Sequence, residues 1–582
     1  MKHVSRLIFF SFLLTSYLTV FQFSAYSEPH SHGAHRHGAH PGLKKHVQQF
    51  KNAELIEVAK GVYWAQFFDY SNYGFIEGDN EILAVDCGWW PSATQKALTE
   101  LRKQTKKPIT RIVFTHGHAD HVAGCSAYIN EGNVREIISS EDYIRYRDEM
   151  ITTRLPFIAR RATDQMGLLL PKSLAGDIGT GVGFAAYGGK ASYFPPTKLI
   201  QGGDTLSFDG LELAVLEAPA DIDDHIVFFD EKRKILYAGD SYINVGPPVA
   251  SPRNEKGRDP IKWMNTLDMF LSLQPEIVLP GHGKYDNDKA KIASLLKDSR
   301  DTIKFIDDYI VRGLINEIPR DELIADIKLP DNLASNPELQ FYYHSLKWVA
   351  RGVYTNYAGW YRDDIRDLFE THPTTEAKEL VGHLGGPDNV IKIASTYRNK
   401  EQYGLAGRLL GTTHIAFPDH QGVKEMLIDT MRQEAFRSES SSQRNYLLTS
   451  AAKIEGTYDK SQMRPFIGFK NLLESVPNKK LVEFLSIRIN PNKIQEALDE
   501  NEANAIRLKV LPDADTFALY AGNEVIVVSE HLEGASDIEV SITKSDLVAL
   551  ALQRVSFDEL LKTGKLSSNN TQMARKFFAL FD

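Results

Sequence analysis

Thr115-His116-Gly117-His118-Ala119-Asp120-His121, placed directly behind the apolar run Arg111-Ile112-Val113-Phe114, decides the fold of this chain. Imidazole nitrogen and carboxylate oxygen both suit Zn²⁺, and the four such side chains between His116 and His121 cannot all reach one ion with tetrahedral geometry. The loop is therefore expected to serve two metal ions. Burying so many titratable groups without a metal would be costly.

The same pattern recurs downstream. A strand from Lys234 to Ala238 runs into Gly239-Asp240, and Ile277-Val278-Leu279 runs into Pro280-Gly281-His282-Gly283. Each places a ligand-type side chain at a strand's carboxyl end. Upstream of Asp240, the stretch Leu216 to Asp224 offers Glu217 and Asp221, either of which could complete the set. From about residue 51 to 295, short apolar runs such as Glu81 to Val85 alternate with helical stretches and Gly-rich turns, an α/β pattern. From about 296 to 450 the spacing becomes helical, as in Ile303, Ile306, Ile310 and Leu314, with connections at Pro330, Pro337 and Pro373. From 456 to 582, apolar runs at 516–520, 524–528 and 537–542 predict three strands of a small α+β domain.

At 582 residues the chain is too long for one core, and its 42% hydrophobic and 25% charged content is that of a globular enzyme rather than a fibrous or disordered protein. Residues 1–27 read as a signal peptide: Lys2 and Arg6, an apolar run from Leu7 to about Phe23, then Ala25-Tyr26-Ser27 as a cleavage site. This predicts a periplasmic or secreted protein. No later stretch has the roughly 18 uncharged apolar residues of a membrane span, so no stable anchor is expected after processing. Removing Lys2 and Arg6 takes the formal charge from −9 to −9 − 2 = −11, which argues against nucleic acid as a partner. Cys87 and Cys125 are the only cysteines and leave one possible bridge, whose pairing the sequence does not decide. His30, His32, His35, His37 and His40 lie in residues 28–50 among Gly, Ala, Ser and Pro, predicting a flexible tether.

The HxHxDH loop is the hallmark of the metallo-β-lactamase superfamily, and the chain resembles its alkyl sulfatase family nearly end to end. The resemblance runs through Arg160-Arg161-Ala162, Gly179-Thr180-Gly181, Lys262-Trp263, Tyr342-Tyr343, Gly359-Trp360 and Arg444-Asn445-Tyr446. It implies an αββα sandwich over 51–295, a helical dimerisation domain over 296–450 and a sterol-carrier-protein-2-like (SCP2-like) domain over 456–582. It also implies two Zn²⁺ per chain, one on His116, His118 and Asp221 and the other on Asp120, His121 and His282, with Asp240 bridging. Asp120 and Asp240 then count as catalytic as well as metal-binding. Arg253 matches the family's sulfate-holding arginine, with Arg258 five residues on as the second candidate. The implied activity is hydrolysis of an amphiphilic alkyl sulfate ester to alcohol and sulfate, by a homodimer, with metal-activated water. The alternatives are hydrolysis of another ester, a phosphoester or a lactam at the same centre, or a non-catalytic periplasmic zinc or lipid binder. Two departures stand out. Asp221 and Asp240 replace family glutamates, and Met166-Gly167-Leu168 replaces Tyr-Gly-Asn, which removes two polar substrate contacts and puts sulfate specificity in question.

Overall fold

The computed structural model describes residues 38–582 apart from 185–187, 254–257, 463–468, 491–492, 494–504, 532–536 and 582. The expected signal peptide and the tether's His30, His32, His35 and His37 lie outside the described residues.

A first sheet carries β1 (Glu54–Ala59), β2 (Val62–Gln66), β3 (Tyr73–Glu77), β4 (Ile82–Val85), β5 (Ile109–Val113), β6 (Glu136–Ser140) and β7 (Lys198–Ile200), side by side in that order. Strands β1 to β4 pair antiparallel, and β4 to β7 pair parallel. A second sheet has β8 (Thr205–Phe208), β9 (Leu211–Glu217), β10 (Ile226–Asp230), β11 (Ile235–Gly239) and β12 (Ile277–Pro280), with only β11 and β12 parallel.

The period of two in a strand explains why the sheets stack. In β10, Ile226 and Phe228 turn toward the first sheet, meeting Val62, Trp64, Leu83 and Val113. Val227 and Phe229 turn the other way, onto Trp263, Leu267 and Phe270 of the helix Pro260–Leu273. With both faces covered, these strands read as unbroken apolar runs. The helix Pro91–Gln104 covers the first sheet's outer face through Ala97, Leu98 and Leu101. The four layers are the expected αββα sandwich.

The boundary expected at 295–296 falls inside one continuous helix, Lys289–Ile315. Its Ile292, Leu295, Leu296, Ile303 and Ile306 share a single core with Trp263, so helical periodicity begins while the chain still covers the second sheet. The helices that follow, Arg320–Asp326 through Ser441–Glu455, form the all-helical segment. The last domain folds round a five-stranded sheet rather than three strands, in the order β15 (Val525–Ser529), β14 (Asp515–Gly522), β13 (Ala505–Leu511), β16 (Glu539–Thr543) and β17 (Leu566–Ser568). The central β13, Ala505-Ile506-Arg507-Leu508-Lys509-Val510-Leu511, alternates apolar and charged residues and was absent from the sequence expectation.

The tether is also shorter than its composition suggests. Pro41 starts a helix, Pro41–Val47, and Leu43, Val47 and Phe50 bury one face against Phe67 and Ile178. Gly38 and His46 are fixed as well, accepting from Arg444 Nη1 at 2.9 Å and reaching Gly181 O at 2.8 Å respectively.

Cys87 and Cys125 are joined by a disulfide that closes 38 residues of separation around the metal loop. Replacing both by Ala should destabilise the oxidised protein by about 2–4 kcal/mol, because the unfolded chain regains loop entropy. Urea unfolding of the two forms measures this; equal midpoints would count against it.

Candidate metal centre

Every candidate ligand reaches the same rim of the sandwich. Beyond β5 the chain lays out His116, His118, Asp120 and His121; the β9–β10 turn brings Asp221; β11 ends at Asp240 and β12 at His282. The ligand-type atoms form two groups, each within 4.8 Å: His116, His118, Asp221 and Asp240, and Asp120, His121, Asp240 and His282. Asp240 belongs to both. Glu217, the other carboxylate considered for the turn, is exposed at the end of β9 and joins neither group.

Hydrogen bonds fix which nitrogen of each imidazole faces inward. His121 Nδ1 donates to Asp86 Oδ2 at 2.8 Å, and His282 Nδ1 donates to Tyr70 O at 2.9 Å. His116 Nδ1 lies 3.0 Å from Thr115 Oγ1, which itself donates to Asp86 Oδ2 at 2.8 Å. In all three the Nε2 lone pair is left for the centre, the arrangement that outer partners impose on metal-bound imidazole. His116 Nε2 and His118 Nδ1 converge to 3.0 Å, and Asp221 Oδ2 is 3.0 Å from the same His118 nitrogen. Among the described residues, His121 Nε2, Asp221 Oδ1 and Asp240 Oδ1 are buried without a hydrogen-bond partner. Orphaned buried acceptors converging in this way fit a divalent cation.

Charge leads to the same conclusion. Burial opposes ionisation of Asp221 and Asp240, yet the neighbouring histidines hold both carboxyls well below the usual range, and Asp120 is lowered too. Burial likewise opposes charge on His121 and His282, but the carboxylates outweigh it, raising His121 well above its ordinary value and His282 to about 10. His116, buried and surrounded by other imidazoles, is pushed well down. The acids thus demand positive charge at the centre, supplied by protons when no metal is bound.

Sequence reasoning passed over two supports of this geometry. Asp86 follows β4 with a left-handed φ of 59° and accepts from Thr115 N, Thr115 Oγ1 and His121 Nδ1, each at 2.8 Å. His225 accepts from Asp240 N–H through Nε2 at 3.1 Å, so its proton sits on Nδ1, which faces Asp221 Oδ1 at 3.2 Å. Its ring stacks on His116 with centroids 3.9 Å apart. Either could have been found as a polar residue bordering a buried strand, β4 in one case and β10 in the other.

The centre opens into a cavity of about 200 Å³. His118, Asp120, Asp221, Arg253 and Arg258 line its head, and Ile151, Ile158, Met166, Leu168 and Leu472 line its body. Leu472 comes from the C-terminal domain, where it packs on a core that also takes in Ile151. Both arginines therefore line the cavity beside the candidate ligands. Arg258 is more committed than expected: it donates to Pro248 O and lies 3.5 Å from Asp221 Oδ2, whereas Arg253, among the described residues, meets only the hydroxyl of Tyr343, at 3.2 Å.

Comparison with known proteins agrees with this layout. Residues 67–282 match the metallo-beta-lactamase superfamily, 320–457 the alkyl sulfatase dimerisation family and 468–582 the alkyl sulfatase C-terminal family. A linear primary-alkylsulfatase from Pseudomonas sp. is 28% identical over 436 residues, covering 72% of this chain and 82% of the relative. An (R)-specific secondary-alkylsulfatase from Pseudomonas sp. is 24% identical, over 93% of this chain and 83% of its own length. The solved structure of the inverting sec-alkylsulfatase Pisa1 from Pseudomonas sp. superposes with a TM-score of 0.83 at 21% identity, covering 94% of this chain and 87% of that one.

His225→Ala should weaken divalent-metal affinity by about 10- to 100-fold with the fold intact, since it holds the backbone of Asp240 and packs against His116 and Asp221. Chelator competition on the folded variant tests this, and wild-type affinity would refute it. Because His121 and His282 hold protons that must leave before their nitrogens take a metal, loading the metal-free protein near pH 7 should release protons, and affinity should rise with pH. Calorimetry in buffers of different ionisation enthalpy reads the release; zero proton exchange would contradict the assignment.

Proposed function

We propose that this chain, a member of the alkyl sulfatase family of the metallo-β-lactamase superfamily, hydrolyses alkyl sulfate esters: R–O–SO₃⁻ and water give R–OH and hydrogen sulfate. The observation that carries this reading is one cavity with two characters. Arginines and convergent ligands stand at its head, and an apolar body leads away from them. An amphiphilic anion has the same division.

Two zinc ions are the proposed occupants, on His116, His118 and Asp221 and on Asp120, His121 and His282, with Asp240 shared; when bound they supply positive charge and a water of lowered pKa. The chain's own groups do the rest. Arg253 presents the planar fork that suits an oxyanion. Arg258 holds Asp221 in place while bordering the same space. Ile151, Ile158, Met166 and Leu472 exclude water from the tail, each methylene contributing about 0.8 kcal/mol on burial. The SCP2-like module thus serves here as a wall of the substrate cavity.

Residues 1–27 and the Cys87–Cys125 disulfide support export to an oxidising compartment, the periplasm or beyond. Trp360, Ile365, Leu368 and Phe369, all exposed within the matched dimerisation region, support pairing of two chains.

The purified protein should release inorganic sulfate from dodecyl sulfate, lose that activity to chelation and carry about two zinc ions per chain, the count expected of a two-metal site. Two zincs without sulfate release would redirect the search to other esters. His116→Ala and Asp120→Ala should lose metal and turnover together. Arg253→Ala should keep its metal but raise KM for sulfate esters roughly 10- to 100-fold, the worth of a hydrogen bond to a charged group; unchanged kinetics would remove Arg253 from the site.

A further inference from the structure

A smaller recess next to the metal centre is walled by Tyr70 and Tyr343 together with Arg253, Asp120 and His282. The two tyrosines are 273 positions apart in sequence. Tyr70 follows β2 in the catalytic domain, whereas Tyr343 precedes the helix Leu346–Ala358 of the helical domain. They are only 4% and 5% exposed, and their hydroxyl oxygens are 3.4 Å apart.

A phenol has one proton to give and two lone pairs to receive. Tyr343 Oη accepts from Gln165 Nε2 at 2.9 Å and from Arg253 Nη1 at 3.2 Å, which fills both lone pairs. In this arrangement the other end of the Gln165 amide is satisfied as well, because Ser251 Oγ donates to Gln165 Oε1 at 3.1 Å. Tyr343 must therefore send its own proton outward, either into the recess or to Tyr70. If it goes to Tyr70, the Tyr70 oxygen is the acceptor and the Tyr70 proton is free instead. Among the described residues Tyr70 Oη has no partner besides Tyr343. The pair carries two protons and can spend at most one between its members. One phenolic O–H is left facing the recess in either arrangement.

We propose that Tyr70 and Tyr343 act as a shared hydrogen-bond donor to a non-bridging sulfate oxygen of the substrate, and so as specificity determinants of the headgroup. Arg253 binds Tyr343 through Nη1, and among the described residues the rest of its fork has no hydrogen-bond partner and can reach the same anion. The donor pair stands beside Arg253, which lines both the recess and the adjoining cavity. It also makes the headgroup site incomplete without the helical domain. The inference rests on the sulfate-ester reading for the identity of the anion, but the donor count does not depend on it.

The test is calorimetric binding of inorganic sulfate, and in parallel inorganic phosphate, to the metal-loaded full-length protein and to Tyr70→Phe, Tyr343→Phe and the double variant, each checked for metal content and melting temperature. Because either phenol can supply the proton, each single change should weaken sulfate a few-fold and the double change roughly 10- to 100-fold. KM for dodecyl sulfate should rise in step, while inhibition by the alcohol product, which reads only the apolar body, stays unchanged. Should Tyr343→Phe fail to fold, Tyr70→Phe decides alone. Wild-type sulfate affinity in a folded, metal-replete double variant, or in Tyr70→Phe if only that folds, overturns the proposal. If the wild type ignores sulfate but binds phosphate, and the variants lose phosphate, the substrate reading fails and the donor pair stands. If the wild type binds neither anion, both are overturned.

Discussion

Asp120, Asp221 and Asp240 are carboxylates gathered from both sheets at one rim of the sandwich, the latter two buried and the first partly so, and the rest of the structure answers to the charge they carry. Buried carboxylates are tolerated only when paired or bound to cations. Here the histidines are oriented by groups behind them, so each can deliver a lone pair to a metal or hold a proton when none is bound. Asp86 does this for His121 directly and for His116 through Thr115, and its left-handed backbone is the kind of local strain that persists where surrounding bonds determine a functional position. The disulfide beside it ties Cys87 to the helix that follows His121. Metal loop, strand β4 and disulfide form one braced unit.

The three domains meet at this unit. The sandwich supplies every candidate ligand, the helical segment supplies Tyr343, and the C-terminal domain supplies Leu472. Buried Arg444 ties the helical segment down by donating to Gly38 O and Gly176 O at 2.9 and 3.1 Å. Its guanidinium satisfies several carbonyls at once, for which a neutral side chain would lack donors. The cavity is therefore a property of the assembled chain rather than of the sandwich alone, which accounts for the extension of the family resemblance well beyond the metal loop.

Much of this was legible in the sequence because the decisive groups are local. His116 to His121 lie on one loop, and Asp240 and His282 are marked by glycines at strand ends. Gly281 shows why that mark is physical: a Cβ there would run into Asp240 Oδ1. The choice between Glu217 and Asp221 was harder, since it turns on where β9 ends. Glu217 is the strand's last residue and points to solvent, while Asp221 sits in the turn beyond. The roles of Asp86, His225, Tyr70 and Tyr343 were not read out: a polar residue beside a buried strand or a tyrosine in a family stretch is a weak local mark, and what each does depends on partners distant in sequence. The helix Pro41–Val47 was hidden for a different reason, its apolar spacing being masked by the surrounding histidines and glycines.

The family resemblance implies glutamate where Asp221 and Asp240 stand, and His225 sits where a shorter side chain needs support. A side chain one methylene shorter must start closer to the centre, so its backbone has to be held in place. His225 accepts the backbone N–H of Asp240 on one side, faces the carboxylate of Asp221 on the other, and lies flat against His116. One rigid ring thus sets the separation of both aspartates from the first histidine. In place of length within the ligands, the chain uses a stiff spacer behind them. A spacer of this kind fixes the geometry before any metal arrives, which is the condition for a preorganised centre.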